Sequence, residues 1–241
     1  MPDSLFISDL HLSAEQPGSM AAFRRFTAGM ARQAEALYIL GDLFEYWAGD
    51  DDLQDSFHRE VADLLAGVAQ HGTKIFIMQG NRDLLMSDAL MRACGAGAIP
   101  DPHLINLYGT PSLLSHGDLL CTGDIAYQKY RIQVHSAEFQ RQFLARPLPE
   151  RKAYIAELRA RSRMEKTCKD EELMDVSSAA VEGMLRAHGY PRLIHGHTHR
   201  PARHEHLVDG HYCERWVLDD WDVAPGVLRC NTKGCTPLLL A

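Results

Sequence analysis

Seven side chains able to bind a metal stand just past short apolar runs of this 241-residue chain: Asp9, His11, Asp42, Asn81, His116, His197 and His199. Leu5-Phe6-Ile7-Ser8 precedes the first pair, Leu37 to Leu40 precedes Gly41-Asp42, and Lys74 to Met78 precedes Gly80-Asn81. Ser112 to Ser115 runs into His116, and Arg192-Leu193-Ile194 into His195-Gly196-His197-Thr198-His199. The donors are carboxylate, imidazole and amide oxygen, with no thiolate. Such a set suits Mn²⁺, Fe²⁺ or Zn²⁺ better than the oxygen-preferring Mg²⁺ and Ca²⁺. Seven ligands exceed the needs of one transition metal and suffice for two that share a carboxylate. Two ions about 3.5–4 Å apart are an apparatus for phosphoryl transfer, activating water and stabilising phosphate oxygens. One Gly-Asp or one histidine after a strand is ordinarily a turn residue. Five segments ending in the same residue types favour a shared site.

The elements that must position these groups can be read in turn. An apolar run that halts at a polar loop reads as a buried strand. In open α/β sheets, functional groups gather at the carboxyl ends of strands. Between the first three strands lie two amphipathic helices, one N-capped by Ser19 with Phe23, Phe26 and Met30 inward, the other carrying Phe57, Val61, Leu64, Leu65 and Val68. The order β-α-β-α-β predicts a doubly wound sheet, hence an α/β fold. Asp50-Asp51-Asp52 reads as a solvated loop and helix start. Ser87 opens a short third helix, Gly95 to Pro102 is expected as loop, and Leu104–Leu107 with Ser112–Ser115 as a hairpin. From Asp124 to Asp175 glycine is absent and helical periodicity dominates, with Pro147 and Pro149 separating two helical pieces. We expect one domain over 1–241 with 124–175 as a helical insertion, or cap. Between Arg141 and Lys169 nine Lys/Arg stand against three Asp/Glu, a local excess that favours an anionic partner. A helix from Met174 to His188 returns to the main fold, and turns at Asp209-Gly210, Pro225-Gly226 and Lys233-Gly234 predict an antiparallel closing sheet.

Composition narrows the classes. Hydrophobic residues make up 46%, enough for a globular core. The formal net charge of −7 argues against a general nucleic-acid binder. The first residues lack a basic n-region and a cleavage site, and no run approaches the ~18 apolar residues of a membrane span. The expectation is a cytoplasmic protein, peripheral to a membrane at most. The six cysteines form no Cys-x-x-Cys pair and are expected as free thiols, a Cys230–Cys235 bridge being disfavoured.

Asp9-x-His11, Gly41-Asp42, Gly80-Asn81-Arg82-Asp83, His116 and Gly196-His197-x-His199, in that order, resemble the signature of the calcineurin-like metallophosphoesterases. Arg82 stands where most members have histidine, and Glu45 where Gly-Asp-x-x-Asp has its second aspartate. Both departures, with His116-Gly117-Asp118-x-Leu120-Cys121-Thr122 and His195 to Pro201, resemble the branch that hydrolyses the pyrophosphate of UDP-2,3-diacylglucosamine. The resemblance implies an αββα sandwich with a helical cap. It implies two Mn²⁺ ions, one on Asp9, His11, Asp42 and His199, the other on Asp42, Asn81, His116 and His197, with Asp42 bridging. Asn81, Arg82 and His197 would contact substrate phosphates, and Asp42, Asn81, Arg82 and His197 would be catalytic. Asp124, Ser162, Lys166 and Lys169 correspond to substrate-contacting positions. The implied chemistry is in-line attack of metal-activated water on the α-phosphorus, releasing UMP and 2,3-diacylglucosamine 1-phosphate. The implied setting is a monomer in peripheral contact with the cytoplasmic face of the inner membrane, with no nucleic-acid partner. Val134, Phe139, Phe143, Leu144, Leu148, Tyr154, Ile155 and Leu158 offer apolar surface for acyl chains. Asp219 occupies a position where the branch has glycine. Two other readings are a phosphoesterase for a soluble nucleotide or phosphoprotein, and a non-catalytic binding module. The module would be expected to have lost ligands, and all seven are present.

Overall fold

A computed structural model describes residues 3–166, 175–222 and 225–240, excepting the side chains of 161–166. Strands β1 (Ser4–Ile7), β2 (Ala36–Leu40), β3 (Lys74–Met78) and β4 (Ala96–Ile99) lie side by side in parallel. β10 (Gly226–Asn231) and β11 (Gly234–Leu239) continue this sheet antiparallel beyond β1. A second sheet has the order β5 (His103–Leu107), β6 (Thr110–Ser115), β7 (Arg192–His195), β9 (His211–Val217), β8 (Ala202–Val208), with β6, β7 and β9 parallel.

Alternation of side chains along the strands sorts the core into layers. Leu5, Ile7, Leu37, Ile39, Ile75 and Ile77 face helices α1 (Pro17–Ala28), α2 (Ser56–Gln70) and α3 (Asp88–Cys94), which bring Phe23, Phe26, Val61, Leu65 and Leu90. Phe6, Leu40 and Met78 point the other way and meet Leu114, Ile194 and Leu218 between the sheets. The register Phe6–Tyr38–Phe76 stacks three rings across three strands at 4.8 and 5.0 Å. Helix α7 (Ser178–Ala187) covers the far face of the second sheet through Val181 and Leu185. The layers are therefore α, β, β, α, as the resemblance implied. Among the described residues of the glycine-free stretch lie helices α4 (Ile125–Val134), α5 (Ala137–Leu144) and α6 (Leu148–Lys166).

Several local expectations are corrected. The segment 95–102 is not all loop: Ala96–Ile99 is a strand held by β3, its short Ala-Gly-Ala-Ile run too weakly apolar to announce itself. Helix α1 starts at Pro17 rather than after Ser19, because proline suits the first helical turn. The helical stretch holds three helices among its described residues, and Pro149 sits in the first turn of α6. The three aspartates open a short 3-10 helix, Asp50–Gln54, as expected, and Asp51 is exposed, but the other two are not solvated. Asp52 is buried and paired with Lys152, and Asp50 accepts from the N–H groups of Ser87, Ala89 and Leu90 at the start of α3. Cys230 and Cys235 are disulfide-bonded, since the β10–β11 register sets them directly opposite, Cα atoms 4.1 Å apart. Cys94, Cys121 and Cys213 are free and buried. Among the described residues no helix is long and apolar enough to cross a membrane.

Candidate metal centre

The loops after β1, β2, β3, β6 and β7 converge at one end of the sandwich. The first two are zipped together: Asp9 N–H donates to Gly41 O (3.2 Å), His11 N–H to Asp42 O (3.0 Å), Leu12 N–H to Leu43 O (3.0 Å) and Glu45 N–H to Leu12 O (3.1 Å). Asp9, His11, Asp42, His197 and His199 all have left-handed backbones, with φ of 53°, 46°, 53°, 71° and 55°. Non-glycine residues rarely adopt this region, and its cost of about 1–3 kcal/mol each is met only where surrounding structure enforces it. The bend turns each side chain into a common space. Close approach also needs missing side chains. A Cβ on Gly80 would lie 2.2 Å from Asp42 Oδ1, and one on Gly196 2.2 Å from Asp9 Oδ2.

Asp42, 2% exposed, lies between two histidines: Oδ2 is 4.0 Å from His11 Nε2 and Oδ1 is 3.8 Å from His116 Nε2. His199 Nε2 stands 3.5 Å from Asp9 Oδ1 and 3.3 Å from His11 Nε2. Two triads, Asp9–His11–His199 and Asp9–Asp42–His116, have ligand atoms within 4.8 Å of one another; they share Asp9, and Asp42 of the second reaches toward His11 of the first. Asn81 Oδ1 is 3.0 Å from His116 Nε2. His197 lies outside the tight triads, its ring 5.0 Å from that of His116, with Tyr127 stacked at 5.9 Å.

These residues fit a pair of cations. Ser8 Oγ and His197 N–H donate to Asp9 Oδ2, but the buried Asp9 Oδ1 receives no hydrogen bond. His116 Nδ1–H donates to Leu40 O (2.9 Å), which turns Nε2 toward Asn81 Oδ1 (3.0 Å) and Asp42 Oδ1 (3.8 Å). A buried acceptor with no donor, in a cluster of buried carboxylates and imidazoles, is explained by a cation beside it. The field agrees. Burial would raise the Asp9 carboxyl, but the His199 imidazole 3.5 Å away and the His116 and His11 charges hold it well below the usual carboxylate range. Burial would lower the His116 imidazole, yet Asp42, Asp9 and Asp118 raise it to about 9. Burial and the His116 charge push His197 down to about 3, leaving the neutral imidazole a ligand requires.

Supporting groups went unassigned in the sequence. Asp83, fully buried, accepts from the N–H groups of Asp42 (3.3 Å), Leu43 (2.7 Å), Phe44 (3.3 Å) and Gly80 (2.8 Å), clamping the β2 and β3 loops together. Burial and the Asp42 charge push its carboxyl up to about 7, against the pull of those donors. Alanine at Asp83 would orphan four N–H groups. It is expected to cost at least about 3 kcal/mol, seen as a lower urea midpoint at an unchanged slope. An unshifted midpoint would deny the clamp. Asp118 accepts from Tyr127 Oη (2.8 Å) and Arg131 Nε (2.7 Å), tying α4 to the His116 loop. Burial would raise its carboxyl, but His116, His197 and Arg131 hold it at about 2. His195 does not face the cluster. Its Nδ1–H donates to Gly196 O (2.9 Å) and its Nε2 accepts from the buried Arg215 (3.1 Å), so it braces the His197–His199 loop from behind. Arg215, on β9, carried no sequence signal; Asp83 and Asp118 stood inside motifs already singled out.

A cavity of about 420 Å³ opens beside the cluster. Its polar end holds Asn81, Arg82, Glu45 and Arg159; its walls include Val134, Phe139, Phe143, Tyr154, Ile155 and Leu158, six of the eight residues expected to face acyl chains. Leu144 and Leu148 do not line it, Leu144 lying against Gly49 instead. Phe143 also belongs to the buried core, with Phe139, Tyr154 and Ile155 packed on it, so these residues serve both packing and pocket. Arg82 N–H donates to Asp42 Oδ1 (2.8 Å), and its guanidinium reaches Glu45 (3.7 Å). Asp124 caps α4 by accepting from Tyr127 N–H (3.0 Å). Lys169 and the side chains of Ser162 and Lys166 lie outside the described residues. Asp219, at the position expected to be glycine, is accommodated because its carboxylate lies against Gly226, where a Cβ would clash at 2.0 Å.

The profile of the calcineurin-like phosphoesterase family matches residues 4–201. A protein of Aromatoleum aromaticum named UDP-2,3-diacylglucosamine hydrolase is 52% identical over 231 residues, 96% of this chain and 94% of its own length. Proteins of the same name from Aeromonas hydrophila and Pseudomonas aeruginosa are 47% and 46% identical, covering 95% of this chain and 94% and 95% of their own. A solved structure described as a novel archaeal phosphodiesterase superposes over 99% of both chains with a TM-score of 0.51 at 13% identity, a likeness of fold.

Proposed function

The chain belongs to the calcineurin-like phosphoesterase family, and from that premise we propose its reaction. It hydrolyses the pyrophosphate of UDP-2,3-diacylglucosamine to UMP and 2,3-diacylglucosamine 1-phosphate, a step of lipid A biosynthesis. The observation that carries this reading is the apolar cavity continuous with the ligand cluster. A nucleotide-sugar lipid needs a phosphate site and apolar walls side by side; a soluble nucleotide or phosphoprotein has no use for the walls. The 124–175 segment is then a cap over the site.

Asp9, His11, Asp42 and His199 would hold one ion, and Asp42, Asn81, His116 and His197 the other, with Mn²⁺ suited to the mixed donors. When bound, such a pair activates water near neutral pH and offsets charge on phosphate oxygens. The chain's own residues do the rest. The planar guanidinium of Arg82 meets a phosphate at the mouth of the cluster. Tyr127 covers one face of His197 and limits water there. The leaving group is a phosphate monoester, already a stable anion, so the site needs no strong general acid. The basic excess in 141–169 and the exposed Ile125 and Ile132 of α4 support peripheral contact with an anionic membrane face.

The test is UMP release from UDP-2,3-diacylglucosamine, compared with a UDP-sugar lacking acyl chains and with p-nitrophenyl phosphate. The diacyl substrate is expected to be strongly preferred. Activity should vanish on chelation and return with added Mn²⁺. Equal turnover of the acyl-free sugar would overturn the substrate reading, and undiminished activity after chelation the metal reading.

A further inference from the structure

We propose that Glu45 is a positioning residue that joins the metal cluster to α6, aligning His11 from one side and holding Arg82 and Arg159 from the other. The inference rests on the metal-dependent reading above and assigns a role to a residue outside its ligand set.

His11 shows its two nitrogens to different partners. Nε2 faces His199 and Asp42, while Nδ1 is 3.3 Å from Glu45 Oε2. An imidazole can present a lone pair to a cation at one nitrogen only if its proton stays on the other. A carboxylate 3.3 Å from Nδ1, close enough to attract its N–H though not aligned as a hydrogen bond, favours that tautomer. The placement is rigid, because the 9–12 and 41–45 segments are bound backbone to backbone, Glu45 N–H to Leu12 O included. The backbones that carry Glu45 and His11 cannot separate without breaking that zipper.

The other oxygen faces cations. Oε1 pairs with Arg82 Nη1 at 3.7 Å and with Arg159 Nη2 at closer range. Arg82 belongs to the β3 loop and Arg159 to α6, so one carboxylate spans the sandwich and the helical segment. Arg159 also lies 5.6 Å over the Tyr46 ring. Further along α6, Arg151 binds Ala48 O and Asp51, and Lys152 binds Asp52 (2.5 Å). Helix α6 thus lies along residues 45–52, with Glu45 at the end nearest the metals. An anion beside a phosphate site would repel substrate by itself. Set between two guanidiniums, it leaves a net positive pair and fixes where that charge points. A shorter aspartate on the same backbone falls one methylene short of that span.

The experiment titrates metal-stripped protein with Mn²⁺, followed by loss of the free-ion EPR signal, and measures kcat and KM on the diacyl substrate. E45A is expected to weaken Mn²⁺ binding about 10–100-fold. E45Q keeps an acceptor for His11 Nδ1–H but loses the charge that holds both arginines. It should bind Mn²⁺ within a few-fold of wild type while kcat/KM falls about tenfold or more. Wild-type Mn²⁺ affinity in a folded E45A, shown by an unchanged melt without metal, overturns the proposal. Should E45A not fold, E45Q decides alone, and wild-type kcat/KM there overturns it. The titration needs no substrate, so a wild type inactive on UDP-2,3-diacylglucosamine would fell the substrate reading and leave this test standing.

Discussion

Replacing Asp42 by alanine is expected to remove both ions and lower turnover at least about 10³-fold, beyond the ~10²–10³ typical of losing one charge-stabilising group. The reason is position. Its two oxygens point at different histidines, Oδ2 toward His11 and Oδ1 toward His116, so in the proposed arrangement both ions would lean on it. His11 and His199 each serve one half. Alanine at either should leave one ion bound and cost less. Metal content of desalted protein, by mass spectrometry, and kcat measured on the same samples give the comparison. Two ions retained by the Asp42→Ala protein would refute the bridge. Asp9 belongs to both triads, Asp42 to one. If it, rather than Asp42, spans the pair, the order of the two alanine variants reverses.

The sequence announced these candidate ligands because their types recur at strand ends, and strand ends are legible wherever an apolar run stops. β1, β2, β3, β6 and β7 all stop that way. β4 escaped because Ala96-Gly97-Ala98-Ile99 has neither a strong apolar run nor an alternation; it is a strand only because Ile75 to Met78 offer it an edge. The Cys230–Cys235 bond escaped for a related reason: register across a hairpin is a property of pairing, and spacing along the chain does not express it. Within the site, residue types were legible and the backbone was not. Nothing in Asp9-Leu10-His11 reveals left-handed φ angles, which arise from the zipper to residues 41–45. Asp83 was visible as part of Gly-Asn-Arg-Asp, but its four N–H donors come mostly from a loop some 40 positions away. Glu45 stood out as a departure from the family pattern. Its partners lie on three separate elements, so its role needed the fold.

Arg82 is the complementary test, because its loss should spare the metals. Its link to Asp42 is a backbone N–H, which any substitution keeps, while its side chain lines the cavity beside Glu45. Alanine there is expected to lower kcat about 10²–10³-fold, the usual cost of removing one preorganised group that meets transition-state charge. Metal content and Mn²⁺ affinity should match wild type. Lysine restores the charge without the planar fork, so Arg82→Lys should fall between alanine and arginine. The two variants separate field from geometry: lysine equal to arginine would make charge alone sufficient, and lysine equal to alanine would make the fork indispensable. An Arg82→Ala protein with wild-type kcat would remove Arg82 from the chemistry. One that loses its metals would show that the side chain, and not only its amide, supports Asp42.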